Sequence, residues 1–180
     1  MKVSVINKNF YIVQSITVIR LLLTFTFLFF YLIDLTILAI SVFIIAGITD
    51  ILDGWIARKL NGCSDFGCYF DVSIDFFLIL SAFISFVIDG IYPYWVIIII
   101  CFVFLQFILT SKFKILIYDP VGKYWLVFLI IVTIITLVFP YYYVYYIMII
   151  AIISYSIVSL ISRIKFLYKL KINSKRKNSI

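Results

Sequence analysis

Six runs of apolar residues follow one another along this chain, separated by short breaks, near Ser15 to Tyr31, Leu35 to Trp55, Phe70 to Ile88, Tyr94 to Leu109, Val121 to Phe139 and Tyr142 to Ile161. A helix needs about 20 residues to cross a hydrocarbon core, and the runs come at about that length. The expected fold is therefore all-α, an integral membrane bundle of about six transmembrane helices. Asp34, Asp89-Gly90 with Pro93, and Pro140 mark one set of connections, and Lys59 to Asp65 with Ser111 to Pro120 mark the other. No repeat, linker or second domain is visible, so residues 1–180 read as a single membrane domain. The apolar share of 66% then concerns lipid contact rather than a water-soluble core.

Charge orients these runs. With the amino terminus in the cytosol, all 15 basic residues fall on the cytosolic side: Lys2, Lys8, Arg20, Arg58, Lys59, Lys112, Lys114, Lys123 and the seven of the tail after Ser162. The opposite side has none, which satisfies the positive-inside rule. Met1 to Gln14 mixes Lys2 and Lys8 with Val3, Val5, Ile6, Phe10 and Tyr11, the pattern of a short interfacial helix lying on the bilayer. The basic tail, 163–180, directly follows a span. Its expected contact is anionic lipid headgroups, not nucleic acid. The tyrosines that follow Pro140 read as an anchor belt at the outer interface.

Against this background the acids stand out. The chain has no histidine and no glutamate, and four of its eight acidic residues are Asp50, Asp53, Asp71 and Asp75. Asp50, Asp53, Gly54 and Ala57 follow the i, i+3, i+4, i+7 spacing of one helical stripe, and Gly67, Asp71 and Asp75 follow i, i+4, i+8 on the next. Asn61-Gly62 and Ser64-Asp65 between them are turn formers that can reverse the chain. A carboxylate at membrane depth costs at least a few kcal/mol unless it is paired, hydrated or bound to a cation. Four together repel one another, and an all-oxygen set fits a hard divalent cation, Mg²⁺ or Mn²⁺, better than zinc. Cys63, Cys68 and Cys101 have no metal-ligand spacing.

Asp50-x-x-Asp53-Gly54-x-x-Ala57-Arg58, eight residues, then Gly67-x-x-x-Asp71-x-x-x-Asp75 resembles, at all eight fixed positions, the signature of the CDP-alcohol phosphatidyltransferases. The resemblance implies a metal-dependent membrane enzyme, homodimeric, with its site near the cytosolic face of the cytoplasmic membrane. Such an enzyme moves a phosphatidyl group from CDP-diacylglycerol to an alcohol, or a phosphoalcohol from a CDP-alcohol to a lipid, and releases CMP. By the same resemblance Asp50, Asp53 and Asp71 hold metal ions, Asp75 is ligand and general base, and Gly54, Ala57 and Gly67 line the cytidine pocket. Arg58, one turn past Gly54, adds a fixed positive charge for the nucleotide diphosphate. In-line attack on phosphorus needs a base within reach of the acceptor hydroxyl, and a carboxylate at the edge of the cluster is the plausible one.

The expected acceptor pocket involves the connection from Ser111 to Lys123, on the same face. Lys112, Lys114 and Lys123 suit a phosphate on the acceptor, such as that of glycerol 3-phosphate; as topology anchors they would touch only headgroups. Gly122-Lys123 resembles the Gly-Lys-x-Lys-Thr of phosphatidylglycerophosphate synthases, with Tyr124-Trp125-Leu126 following instead. Gln14-x-x-Thr17-x-x-Arg20 is similar to the Asn-x-x-Thr-x-x-Arg often seen ahead of the family signature. Arg20 is thereby a candidate for the substrate side, or for snorkelling to the surface. A membrane prenyltransferase would need a different acidic spacing. An ion or proton transporter would place its acids at mid-bilayer rather than at one face.

Overall fold

The computed structural model describes residues 18–60, 65–110 and 122–177. These residues form six α-helices and one short 3-10 turn, with no strand among them: α1 (Val18–Leu32), α2 (Thr36–Leu60), α3 (Asp65–Ile88), α4 (Trp95–Thr110), the 3-10 turn Gly122–Tyr124, α5 (Trp125–Val138) and α6 (Tyr142–Lys177). The all-α expectation holds. The interfacial helix expected over 1–14 lies outside the described residues, as do the turn at 61–64 and most of the connection from Ser111.

Helix boundaries differ from the apolar runs where polar sequence keeps helical spacing. α2 continues past Trp55 to Leu60, and α3 begins at Asp65, five residues before its apolar run. With no proline in either stretch, nothing interrupts the backbone ladder. α6 likewise does not stop at the end of its run. Its 36 residues reach Lys177, about 54 Å at 1.5 Å per residue, against a hydrocarbon core of about 30 Å. The basic segment from Arg163 is thus the last turns of α6.

Two helix ends share one device. At the end of α1, Asp34 N–H donates to the Tyr31 carbonyl at 3.1 Å and Leu35 N–H to the Phe30 carbonyl at 3.0 Å, around Asp34 at φ +59°. At the end of α3, Gly90 N–H donates to Val87 at 3.1 Å and Ile91 N–H to Phe86 at 2.8 Å, around Gly90 at φ +71°. Both are Schellman closures, in which a left-handed residue lets the last carbonyls find donors. The Tyr31 hydroxyl donates to the Asp89 carboxylate and joins the two turns.

α5 packs against α2, α3 and α6, while α4 packs against α3 and α6. The interior is aromatic: Phe27 meets Phe43 at 5.4 Å, Phe83 meets Tyr92 at 5.6 Å, and Phe76 lies parallel to Phe104 at 3.7 Å. Buried hydroxyls are satisfied locally, Thr24, Ser85, Thr133 and Ser156 each donating to the carbonyl four residues back. The outer surface is apolar instead of charged, with Leu22, Ile37, Ile88, Ile98, Ile131 and Ile150 exposed on successive helices. Such a surface suits hydrocarbon and is penalised by water. The segment Tyr142–Tyr168, with mean hydropathy 2.3, is long and apolar enough to cross a membrane by itself.

Candidate active site

The eight signature positions all fall in helix. Asp50, Asp53, Gly54, Ala57 and Arg58 occupy the last turns of α2, and Gly67, Asp71 and Asp75 the first turns of α3. The spacing read from the sequence is therefore helical spacing, with Asp50 and Asp53 one turn apart and Gly67, Asp71 and Asp75 on successive turns. Among these residues the side chain of Asp75 is described; those of Asp50, Asp53, Ala57, Arg58 and Asp71 lie outside the described residues.

Asp75 is partly buried, and its Oδ1 accepts a hydrogen bond from Nη1 of Arg20 on α1, which is 3% exposed. The Arg20 carbonyl in turn accepts from the Thr24 hydroxyl at 3.0 Å. Charges so far from water persist only when they are paired. Arg20 thus meets the signature directly.

A cavity of about 180 Å³ opens beside Asp75 between α3, α4, α5 and α6. Its wall includes Asp75, Gln106, Gly122, Trp125, Ser159 and Arg163. Arg163 is 1% exposed. Its Nε and Nη2 donate to the Thr110 hydroxyl at 2.9 and 2.7 Å, Nη2 also reaches the Phe107 carbonyl at 3.4 Å, and the guanidinium carbon stands 5.3 Å from the centre of the Phe107 ring. Trp125 is buried against Phe128 and Tyr155, and its indole Nε1 has no hydrogen-bond partner among the described residues. A buried donor without an acceptor is expensive, and at a cavity wall a polar ligand relieves it.

Of the residues expected at the acceptor pocket, Lys112 and Lys114 lie outside the described residues. Lys123 sits in the 3-10 turn whose first residue, Gly122, lines the cavity; the Lys123 side chain is undescribed. Arg20 pairs with Asp75 and is not among the residues lining the cavity. The sequence reading puts Arg163 in a basic tail and passes over Gln106, Thr110 and Ser159. A signal is present: Ser156, Ser159 and Arg163 fall at i, i+3 and i+7 in an otherwise oily helix, and all three are buried.

Among the described residues no three His, Cys, Asp or Glu side chains come together. The donor set nevertheless fits a hard cation, since α2 and α3 carry four carboxylates at one-turn spacings and the chain has no histidine.

Two acid-bearing helices and a chamber lined by both a carboxylate and a guanidinium thus stand together in one helical bundle. The chain matches CDP-alcohol phosphatidyltransferase over residues 10–158, and it belongs to that family. Comparison with curated proteins found no match. The protein is accordingly a transferase of phospholipid biosynthesis, in a membrane-associated family whose members generally use a divalent metal ion.

Proposed function

We propose that this chain is a multi-pass enzyme of the cytoplasmic membrane that transfers the phosphatidyl group of CDP-diacylglycerol to a small polar alcohol, with glycerol 3-phosphate the leading acceptor, releasing CMP on the cytosolic side. The observation that carries the reading is that Asp75 and the buried guanidinium of Arg163 share one cavity. A base and a fixed positive charge in one chamber suit an acceptor that has both a hydroxyl to deprotonate and an anionic group to hold. The unpartnered indole N–H of Trp125 supplies a further donor for an acceptor oxygen.

In this reading the acceptor hydroxyl oxygen forms a bond to the phosphorus that bears diacylglycerol. Asp75 takes the hydroxyl proton. The bond from that phosphorus to the bridging oxygen breaks, and its electron pair leaves on CMP. Asp50, Asp53, Asp71 and Asp75 would hold Mg²⁺ or Mn²⁺, and the cation would supply neutralising charge for the diphosphate. Gly54, Ala57 and Gly67 leave room for the cytidine, and Arg58 adds charge beside it. Lys112, Lys114 and Lys123 draw an anionic acceptor toward the chamber, and the basic end of α6 contacts anionic headgroups. A homodimer is the assembly that the family resemblance implies.

The test is CMP release by the purified protein in detergent with CDP-diacylglycerol and Mg²⁺, offering glycerol 3-phosphate, inositol phosphate, inositol, serine and phosphatidylglycerol in turn. Release with a phosphate-bearing acceptor, lost in Asp75→Asn, supports the reading. Release with inositol alone removes the anionic acceptor, and release with serine alone replaces its phosphate by a carboxylate. Release from CDP-choline or CDP-ethanolamine with diacylglycerol, and from none of the others, replaces the donor.

A further inference from the structure

The end of α3 remote from Asp75 carries a second cleft. It begins at Val87, about 18 Å further along the helix at 1.5 Å per residue, so it is separate from the chamber that Asp75 and Arg163 share. Its volume is about 570 Å³, and five tyrosines and a tryptophan stand in its wall: Tyr92, Tyr94 and Trp95 from the α3–α4 connection and the start of α4, with Tyr142, Tyr145 and Tyr146 from the first turns of α6. Tyr92 is buried, while Tyr94, Tyr142 and Tyr146 are exposed, so the cleft is open on one side. The tyrosine run after Pro140 therefore divides. Tyr142, Tyr145 and Tyr146 fall at i, i+3 and i+4 and line the cleft, whereas Tyr141 and Tyr143 stack on each other at 5.6 Å outside its wall. A belt that only met headgroups has no need of this sorting.

The charges at this end have one sign. Asp34 and Asp89 stand on its turns, tied together by the Tyr31 hydroxyl, and no lysine or arginine occurs between Arg20 and Arg58, between Lys59 and Lys112 or between Lys123 and Arg163. Tyr92 meets Tyr145 at 6.2 Å, and Tyr142 meets Tyr145 at 6.3 Å and Tyr146 at 5.6 Å, with planes inclined at 51° or more. None of these pairs is stacked, so the rings do not cover one another's electron-rich faces, and such faces attract a cation. Two helices, α4 at Trp95 and α6 at Tyr142, also begin at the cleft, and the positive end of a helix favours an anion. One turn beyond, the exposed Ile98 and Ile150 continue α4 and α6 as bare apolar surface. A ligand that suits all of these has an ammonium, a phosphate and hydrocarbon chains.

We propose that this cleft is a binding site for a zwitterionic phospholipid. Its ammonium lies against the tyrosine faces on the acidic side, its phosphate near the starts of α4 and α6, and its acyl chains along the isoleucines. An anionic phospholipid lacks the ammonium and meets Asp34 and Asp89 instead. The site rests on the membrane-embedded reading of the chain and not on the transfer chemistry.

The experiment is native mass spectrometry of the purified full-length chain in detergent, titrated with phosphatidylethanolamine or with phosphatidylglycerol of the same acyl chains. In Tyr142→Leu/Tyr146→Leu, phosphatidylethanolamine binds about tenfold more weakly than in the wild type, the scale of two lost cation–π contacts, while phosphatidylglycerol binding changes by less than about twofold. In Tyr141→Leu/Tyr143→Leu both lipids bind within about twofold of the wild type, because those rings lie outside the cleft. All four side chains are exposed, so the replacements leave the interior as it is. Should the first pair fail to fold, Tyr142→Leu alone takes its place, with a loss of about threefold. Unchanged phosphatidylethanolamine affinity in the cleft variant overturns the proposal. So do an equal fall for both lipids and an equal effect of the two tyrosine pairs, either of which returns these residues to a general anchor belt. A shift of the cleft variant from dimer to monomer in the same spectra overturns it too, and assigns the cleft to a second copy of the chain.

Discussion

Arg163 on α6 donates twice to the single hydroxyl of Thr110 on α4, at 2.9 and 2.7 Å, across 53 residues of sequence. The hydroxyl aims the guanidinium while its charge stays on the wall of the chamber that holds Asp75. Thr110→Val keeps the shape and removes the acceptor, leaving buried donors to find other partners at a cost of about 1–3 kcal/mol. The expected result is a KM for the anionic acceptor raised about tenfold with kcat little changed, and recovery in Thr110→Ser. Arg163→Met should raise that KM by about a hundredfold, the loss expected for a charge-assisted pair. An unaltered acceptor KM in both variants would take Arg163 out of the acceptor pocket.

Asp75→Asn keeps an oxygen that can accept from Arg20 and removes the basic carboxylate. Turnover should fall by about 10²–10⁴, the usual worth of a general base, with CDP-lipid binding partly kept, and the melting temperature should drop as well, because the buried Arg20 guanidinium loses a counter-charge. Asp50→Ala and Asp71→Ala should instead weaken metal dependence and substrate binding together. Metal titrations of activity separate the two patterns, and identical curves for all four proteins would dissolve the shared cluster.

What the sequence made legible follows the reach of helical periodicity. The two acid-bearing helices, the turns at Asp34 and Asp89-Gly90, and the six-helix count follow from spacing and from left-handed or helix-breaking residues, which are local properties of the chain. The partner of Asp75 does not follow from spacing, because Arg20 stands 55 residues away and only the crossing of α1 and α3 brings the two together. Arg163 was hidden for a different reason. It opens a run of seven basic residues, so its charge reads as part of a tail that contacts anionic headgroups, yet it is buried because α6 packs against α4 and α5 there. Its serine stripe was visible and carried the information that its neighbours obscured.

The paired Schellman closures make opposite predictions. Gly90 sits at φ +71° with open space around its missing Cβ, so Gly90→Ala costs backbone strain and no clash, about 1–2 kcal/mol. Asp34 already bears such strain at φ +59°, and Asp34→Gly relieves it, for a gain of at most about 1 kcal/mol. Thermal unfolding in detergent should lower the melting point of the first variant and keep or raise that of the second. If both variants shift the same way and by the same amount, φ is not what governs these turns.

Tyr92, in the turn between α3 and α4, gives a pH dependence. Its phenol is buried, which disfavours the phenolate and pushes its pKa from the ordinary 10 up to about 12, against a smaller opposing effect of the hydrogen bond with Thr136. That hydroxyl contact is 2.5 Å. Because the folded state holds the proton more tightly than the unfolded one, the stabilisation is fully present below pH 10 and is lost as pH rises toward 12. Tyr92→Phe lacks the titration and the hydrogen bond, so at about pH 8 it should be less stable by about 1 kcal/mol. Between pH 10 and 12 the wild type should lose stability faster than the variant, and the gap between their melting points should narrow. A gap that stays constant across that range would mean that the Tyr92 phenolate is as well accommodated in the folded chain as in the unfolded one.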